Sequence, residues 1–571
     1  MSTSVKPSTR WLACLVGLAL VALAVPAQAQ FDTGQINGFV RDSQGAPIPG
    51  ATVRVINEGT KLEKSYTTDT TGYYIAPTLQ PGKYQVAVEL TGFRKYAKTG
   101  ITVDSGAKIG ADAVLSPGGM EETVTVVAEA TPLQTNTGQV AKTIESKQIQ
   151  DLMLNGRNPI NLALLKPGVR GGAGGSLNSF QPDSLSDGGF IINGSRTDEN
   201  LVTIDGAIAT RTRAAGAIIG AVNVDTVQEI QVLTANYMPE YGRSAGGQIR
   251  FVTKGGGRSF RGDLFEFNRR PGLDANSWTR KQSPLPQVKN QPAPYTFNQF
   301  GFDVGGPVYI PGKFNTDRNK LFFFLAEEWI NYDRTDISTG IVPSAAMRRG
   351  DFSELLSPSN PYYGRTVAIN DPLTGQPFPG NIIPSNRLSP NGVGLLNSYP
   401  LPTEGFHLGA TNWLGTSPRP SRTRKDTLRL DFAPNPQNSI SFRGSHYKYK
   451  VTDPFFGTFA NARRDWNRPN DTASLSWTST FKSSWINEAT AAMARERVFI
   501  EIWRGTDIFE RSKYGINYPF IFPESKLIPD KIPTITVAGL SEMDGGPYPA
   551  YSAGPIYTFS DNLTHVSGRH T

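Results

Sequence analysis

Cysteine is almost missing: the 571-residue chain has one, Cys14, inside an N-terminal apolar run. Once that run is cut away none remains, which excludes disulfides, thiolate metal sites and a cysteine nucleophile. Histidine is scarce too. His407, His446, His565 and His570 are spread out with no HExxH-type pair, so a zinc hydrolase has no ligand set and neither metal nor other cofactor is expected. The apolar run at 11–25 stops at about 15 residues, short of the roughly 20 that a membrane-spanning helix needs. The formal charge is +8, yet Lys and Arg are scattered and form no stretch that would track a phosphate backbone, so nucleic acid is not an expected partner. The string "RGGAGG" at 170–175 lacks the Lys-Ser/Thr that completes a phosphate loop and reads as a flexible loop. No catalytic constellation is assembled anywhere, and an enzyme is not expected.

The N-terminus has the three-part layout of a secretory leader. Lys6 and Arg10 precede the apolar run, and Ala27 and Ala29 give the small-x-small pattern of a cleavage site, so residues 1–29 are expected to be removed and the mature chain to begin at Gln30. An aromatic share of 10%, with 58 Gly and 42 Pro, points to a β-rich, turn-rich protein.

Residues 30–117 read as a small β-sandwich. Val53 and Val55 share a face, and Tyr84, Val86, Val88 and Leu90 alternate with polar or small neighbours, the period-two signature of strands packed on one side. Gly38, Val40 and Asp42, "PIPGA" (47–51), "TDTTGYY" (68–74) and "LQPGKY" (79–84) resemble the carboxypeptidase regulatory-like domain. That resemblance implies a non-catalytic sandwich with a carbohydrate-binding-like fold.

Between 131 and 257 the chain changes character. Ile149, Leu152 and Leu154, then Leu162, Leu164 and Leu165, suit short amphipathic helices that stop at Pro167 and Gly168. Turns at Asn193-Gly194 and Asp205-Gly206 follow, then a strand around Glu229 to Val232, then Tyr241, Gly242, Arg243, Gly246 and Gly247, and a closing Val252-Thr253-Lys254. In that order these pieces resemble the plug domain of TonB-dependent outer-membrane receptors, and the long form "ANYMPEYGR" is similar to the Oar-like subgroup. "NGS" at Asn193 also fits a glycosylation acceptor, but a turn is the expected role.

From 258 to 571 hairpin follows hairpin. Leu428, Leu430 and Phe432 alternate with Thr427, Arg429 and Asp431; Ala473, Leu475, Trp477 and Phe481 oppose Thr472, Ser474, Ser476 and Thr478. Units of that kind are what a membrane-spanning β-strand requires, with lipid outside and a polar interior. "DLFEFN", "FGFDVGG" and "KLFFFLAEEW" read as earlier strands, and 333–422 as a long extracellular loop. A plugged transporter barrel has about 22 strands, whereas roughly eight to ten are legible here, so an N-terminal piece is expected. The expected fold is mainly β: an N-terminal β-sandwich, an α+β plug, and the first part of an incomplete transmembrane antiparallel barrel.

The linker at 118–130 carries Glu122, Thr123, Val124, Thr125, Val126, Val127 and Ala128. This strip resembles the TonB box, which implies an untethered segment that adds a strand to a TonB-type periplasmic energy-coupling protein; the alternative is a last strand of the sandwich or an edge strand of the plug. The resemblance implies a receptor in the outer membrane for energised uptake of a bulky solute, with sandwich, strip and plug base facing the periplasm. Oligosaccharide or a related carbohydrate, metal chelate and peptide all remain open as substrate. A different reading is a non-transporting surface protein for adhesion or matrix contact.

Overall fold

The computed structural model describes residues 33–119, 123–127, 140–171, 189–211, 218–219, 222–237, 241–282, 286–455, 457–481, 484–503, 510–546 and 548–566. The expected leader at 1–29 lies outside these residues. No helix among them is long and apolar enough to cross a membrane.

The first unit is two sheets face to face. One contains β1 (Gly34–Asp42), β4 (Tyr73–Leu79), β7 (Lys108–Gly110) and β8 (Ala113–Leu115). The other runs β3 (Glu63–Thr67), β2 (Thr52–Asn57), β5 (Gly82–Glu89), β6 (Lys95–Val103) and β9 (Thr123–Val127). Alternation decides what lies between them. Ile36 and Val40, Val53 and Val55, and Tyr84, Val86 and Val88 point inward and are buried in one cluster with Tyr74 and Leu115. At the β3–β4 corner one carboxylate oxygen of Asp69 accepts from the amides of Thr71 and Tyr73, which holds the turn expected of "TDTTGYY".

The second unit is a five-stranded mixed sheet ordered β10 (Val140–Glu145), β15 (Val227–Ala235), β16 (Gln248–Thr253), β13 (Leu201–Ile204), β14 (Ala207–Ile208). A small ladder of β11 (Val169–Gly171) and β12 (Phe190–Ile192) stands beside it. The expected helices are a six-residue α-helix, α1 (Ser146–Asp151), and a 3-10 segment, Pro159–Leu165. Ile149, Ile160 and Leu162 enter the core, whereas Leu152 and Leu165 stay exposed because each element is too short to turn all its apolar residues inward.

The third unit is one antiparallel sheet: β17 (Arg261–Arg269), β18 (Tyr295–Pro307), β19 (Leu321–Gly340), β20 (Trp413–Asn435), β21 (Asn438–Asp453), the four-residue β22 (Arg464–Asn467), β23 (Asn470–Phe481), β24 (Trp485–Ile502) and β25 (Ala550–His565). β17 and β25 are its two edges and are not paired with each other, so the barrel is not closed. Its burial is inverted relative to a water-soluble sheet. Ser421, Thr423, Lys425, Thr427 and Arg429 of β20 and Thr472, Ser474 and Thr478 of β23 are buried, while Leu475 and Trp477 are each 49% exposed. Polar groups face the plug and apolar ones face outward, as a lipid-facing wall demands.

One end of this sheet has short connections, at 436–437 and 482–484, and the other has long ones, at 341–412 and 503–549. That asymmetry distinguishes the periplasmic from the extracellular end of an outer-membrane barrel. The expected loop at 333–422 is shorter than the sequence suggested, because β19 and β20 stay paired out to Gly340 and Trp413. At about 3.3 Å per residue the 20 residues of β19 rise well past a hydrocarbon core of about 30 Å; beyond the lipid the alternation relaxes, which hides the strand from a pattern search. Above it the long loops share a core of Val342, Tyr399, Phe459, Ile532, Ile535 and Met543. Arg348 ties the first loop together, donating to the carbonyls of Leu396, Tyr399 and Pro400 at 2.8, 3.0 and 2.7 Å.

Candidate coupling strip and plug

Thr123–Val127 is strand β9, parallel to β6, with Thr123 opposite Lys95 and Val127 opposite Thr99. The strip is therefore tethered, against the expectation of a free segment, and occupies the place that the alternative gave it as a last strand of the sandwich. Its side chains contribute little to that sandwich: Val124, Val126 and Val127 are 42, 39 and 76% exposed. β9 ends its sheet, so among the described residues one of its edges has no strand beside it. β-branched residues hold the strip extended whether or not it is docked. Glu122 and Ala128 lie outside the described residues.

The plug motifs fall into two kinds. Asn193-Gly194 and Asp205-Gly206 are tight turns with positive φ at both residues, 51 and 82° in the first and 43 and 78° in the second; Asn193 donates from its side chain to the Thr234 carbonyl at 2.7 Å. Asp205 does more than turn. Its carboxylate accepts from the Thr253 amide at 2.9 Å and pairs at 3.0 Å with Arg443 of β21, so this plug hairpin is fastened to the inner face of the sheet. Tyr241 is buried, and its carbonyl and that of Gly242 accept from the Gln248 side chain. Arg243 is exposed at φ 62°. Gly246 and Gly247 sit where a Cβ would strike Asn200 and Ser195, or Ile192 and the Leu233 carbonyl.

Other charged residues seat the plug, and the motifs did not announce them. Arg211 pairs with Glu496 of β24 at 2.9 Å, and Arg468 reaches the same carboxylate. Arg157 pairs with Asp225 and lies 3.7 Å from Glu328 of β19, which also holds Lys425 at 2.5 Å. Arg429 of β20 donates to the Thr253 carbonyl at 2.5 Å. Buried ion pairs return little net stability after desolvation but are costly to break singly. A seat built from them fixes register.

A second polar cluster joins plug to sandwich. Ser105, in the turn after β6, is fully buried; its amide donates to Glu229 Oε1 at 2.7 Å and its carbonyl accepts from Gln231 Nε2 at 2.6 Å. Arg250, also fully buried, donates to Gln231 Oε1 at 2.9 Å and to Tyr241 Oη at 3.1 Å. Burial, with the Glu145 charge nearby, raises the Asp104 carboxyl above its usual range despite hydrogen bonds involving Thr143 and Glu229. The legible signal was polar residues at alternate places in apolar strands, Glu229 and Gln231 in "VQEIQVLTA" and Arg250 in "QIRFVT". Among the described residues no group of three or more His, Asp or Glu is placed to hold a metal ion.

A sheet with an apolar outer face, a polar inner face and a domain fastened inside it is an outer-membrane architecture, and the relatives agree. Residues 252–571, over half the chain, match the outer membrane beta barrel domain, and the chain belongs to that family, in the outer membrane. Residues 35–116 match the carboxypeptidase regulatory-like domain. The TonB-dependent transporter Oar of Myxococcus xanthus is 28% identical over 327 residues, which is 56% of this chain and 29% of that one, so the chain spans under a third of its relative's length. Among solved structures, the outer membrane transporter YddB from Escherichia coli superposes with a TM-score of 0.44 at 10% identity, covering 74% of this chain and 45% of that one. The siderophore receptor PirA from Acinetobacter baumannii gives 0.37 at 12% identity, covering 75% and 45%.

Proposed function

We propose that this chain works in energised uptake of a bulky solute across the outer membrane, with an oligosaccharide or related carbohydrate as the first substrate class to test. The observation that carries the reading is the polar seat of the plug: Asp205–Arg443, Arg211–Glu496 and Arg157–Glu328 link a separate domain to the inner face of the sheet. In this reading solute binds at the extracellular loops and the plug apex. A TonB-type periplasmic protein adds a strand to Glu122–Ala128 and pulls, shifting the plug. The leader at 1–29 sends the chain across the inner membrane, and the sandwich and plug base face the periplasm. No bond is made or broken by the protein, so it acts as a transporter and not as an enzyme.

The ordered core shared by the long loops favours a second reading, a surface protein for adhesion or matrix contact. Accumulation of a labelled oligosaccharide, an iron chelate and a peptide by expressing cells, with and without a protonophore, separates the two. Protonophore-sensitive accumulation of one solute is expected. Adhesion to a matrix with no sensitive accumulation of any would overturn the transport reading.

A further inference from the structure

The strip and the plug are joined twice. One link is the covalent segment 128–139. The other runs through the sandwich: β9 is paired with β6, β6 continues through a bulge at Thr99–Gly100 to Val103, and the next residues form the turn whose Ser105 is held by Glu229 and Gln231 of β15. The turn is fixed at its sandwich end as well, since Gly106 donates to the Thr33 carbonyl at 3.0 Å and Gln35 to the Ala107 carbonyl at 2.8 Å. On the plug side Gln231 is braced by Arg250, which is braced by Tyr241. A chain of packed and hydrogen-bonded groups thus leads from the strip to the inner strands of the plug.

We infer that the sandwich is a force coupler, and that a pull on β9 reaches the plug through β6 and the Ser105 turn. The inference rests on the reading that the strip is what the partner grips. The strand geometry suits the task. β9 and β6 are parallel, so their C-terminal ends point the same way, one into segment 128–139 and the other into the Ser105 turn. A pull along the strand axis loads all five paired positions together in shear, where a peel would open them one at a time. The role also explains why a domain with no catalytic group is built against the plug, with a serine buried to 0% exposure at the contact.

The test uses the full-length receptor in its own host, with Ile219→Cys as reporter: Ile219 is buried between the plug and the inner face of the sheet beside Lys425 and Arg443. Labelling by a membrane-impermeant maleimide is followed with and without a protonophore, and the sensitive component reports energised plug movement. A flexible Gly/Ser insertion at 131–137 should leave that component intact. Ser105→Pro, which removes the amide donor, should remove it, and Glu229→Gln, which keeps the side-chain shape and an acceptor oxygen but removes the charge that strengthens the bond to the Ser105 amide, should reduce it several-fold, with the protonophore-insensitive baseline unchanged in both. If the insertion abolishes energised labelling while Ser105→Pro and Glu229→Gln behave as the unaltered receptor, the covalent segment carries the pull and the inference is overturned. Val124→Pro separates the two levels: loss of the sensitive component is expected, and its persistence, or its absence from the unaltered receptor, counts against the strip itself as the gripped segment.

Discussion

At Gly247 the plug leaves no room for a methyl group. An added Cβ would lie 2.7 Å from both an Ile192 side-chain carbon and the Leu233 carbonyl oxygen, whereas at Gly242, in the same motif, nothing comes within 4 Å. Gly247→Ala should therefore cost about 1–3 kcal/mol through overpacking and Gly242→Ala close to nothing, a contrast that limited proteolysis of the plug would read directly. Asp104 makes a pH-dependent case. Its carboxyl is raised in the docked state by burial and by Glu145 of β10, with Glu229 of β15 hydrogen-bonded to it. The docked state therefore prefers the protonated acid: the stabilisation is fully present below the ordinary carboxylate value of about 3.9 and is lost as pH rises through the raised value. Asp104→Asn should flatten that dependence and strengthen docking at neutral pH, measured as the urea midpoint for sandwich release between about pH 4 and pH 7. A midpoint that falls with pH equally in both proteins would rule Asp104 out as its source.

Among the elements, the sandwich stands most nearly alone. Every residue of its buried core falls between Ile36 and Leu115, and β9 adds only a ladder at the edge. Residues 34–116 expressed alone should give a β-type circular dichroism spectrum without added metal, and a random-coil spectrum would put the boundary in the wrong place. For the same reason Val124→Pro should leave the amount of receptor unchanged while abolishing energised uptake, since proline blocks pairing on a strand whose side chains are largely exposed; loss of the protein from the membrane would instead make β9 structural. What was legible at this scale was whatever is written locally. Val53 and Val55, or Thr427 and Arg429 against Leu428, declare their faces by alternation within a few residues. What was not legible is non-local. Nothing in "TVTVV" tells that its partner is "KYAKT" some 28 positions earlier in a parallel register, because a parallel pair needs no turn signal between its strands. The Ser105 contact was hidden likewise, since a buried serine looks like any other loop serine until the strand that covers it is known.

For the whole molecule the decisive property is the inverted burial, polar within and apolar without, and it can be tested by depth. Leu475 lies in the middle of β23 on the outward face, and Phe481 ends the same strand on the same face at the short-turn end. If lipid covers this face, an arginine should cost about 2–4 kcal/mol near the bilayer midplane and about 0–1 kcal/mol near an interface. Leu475→Arg should then sharply reduce the fraction of receptor assembled in the outer membrane, and Phe481→Arg should be tolerated because its guanidinium reaches the headgroups. A soluble sheet exposing the same two side chains to water would show no such gradient. Equal and small effects at both positions would therefore mean that the outward face is not in lipid, and would remove the ground on which the plug, the strip and the sandwich are assigned to an outer-membrane device.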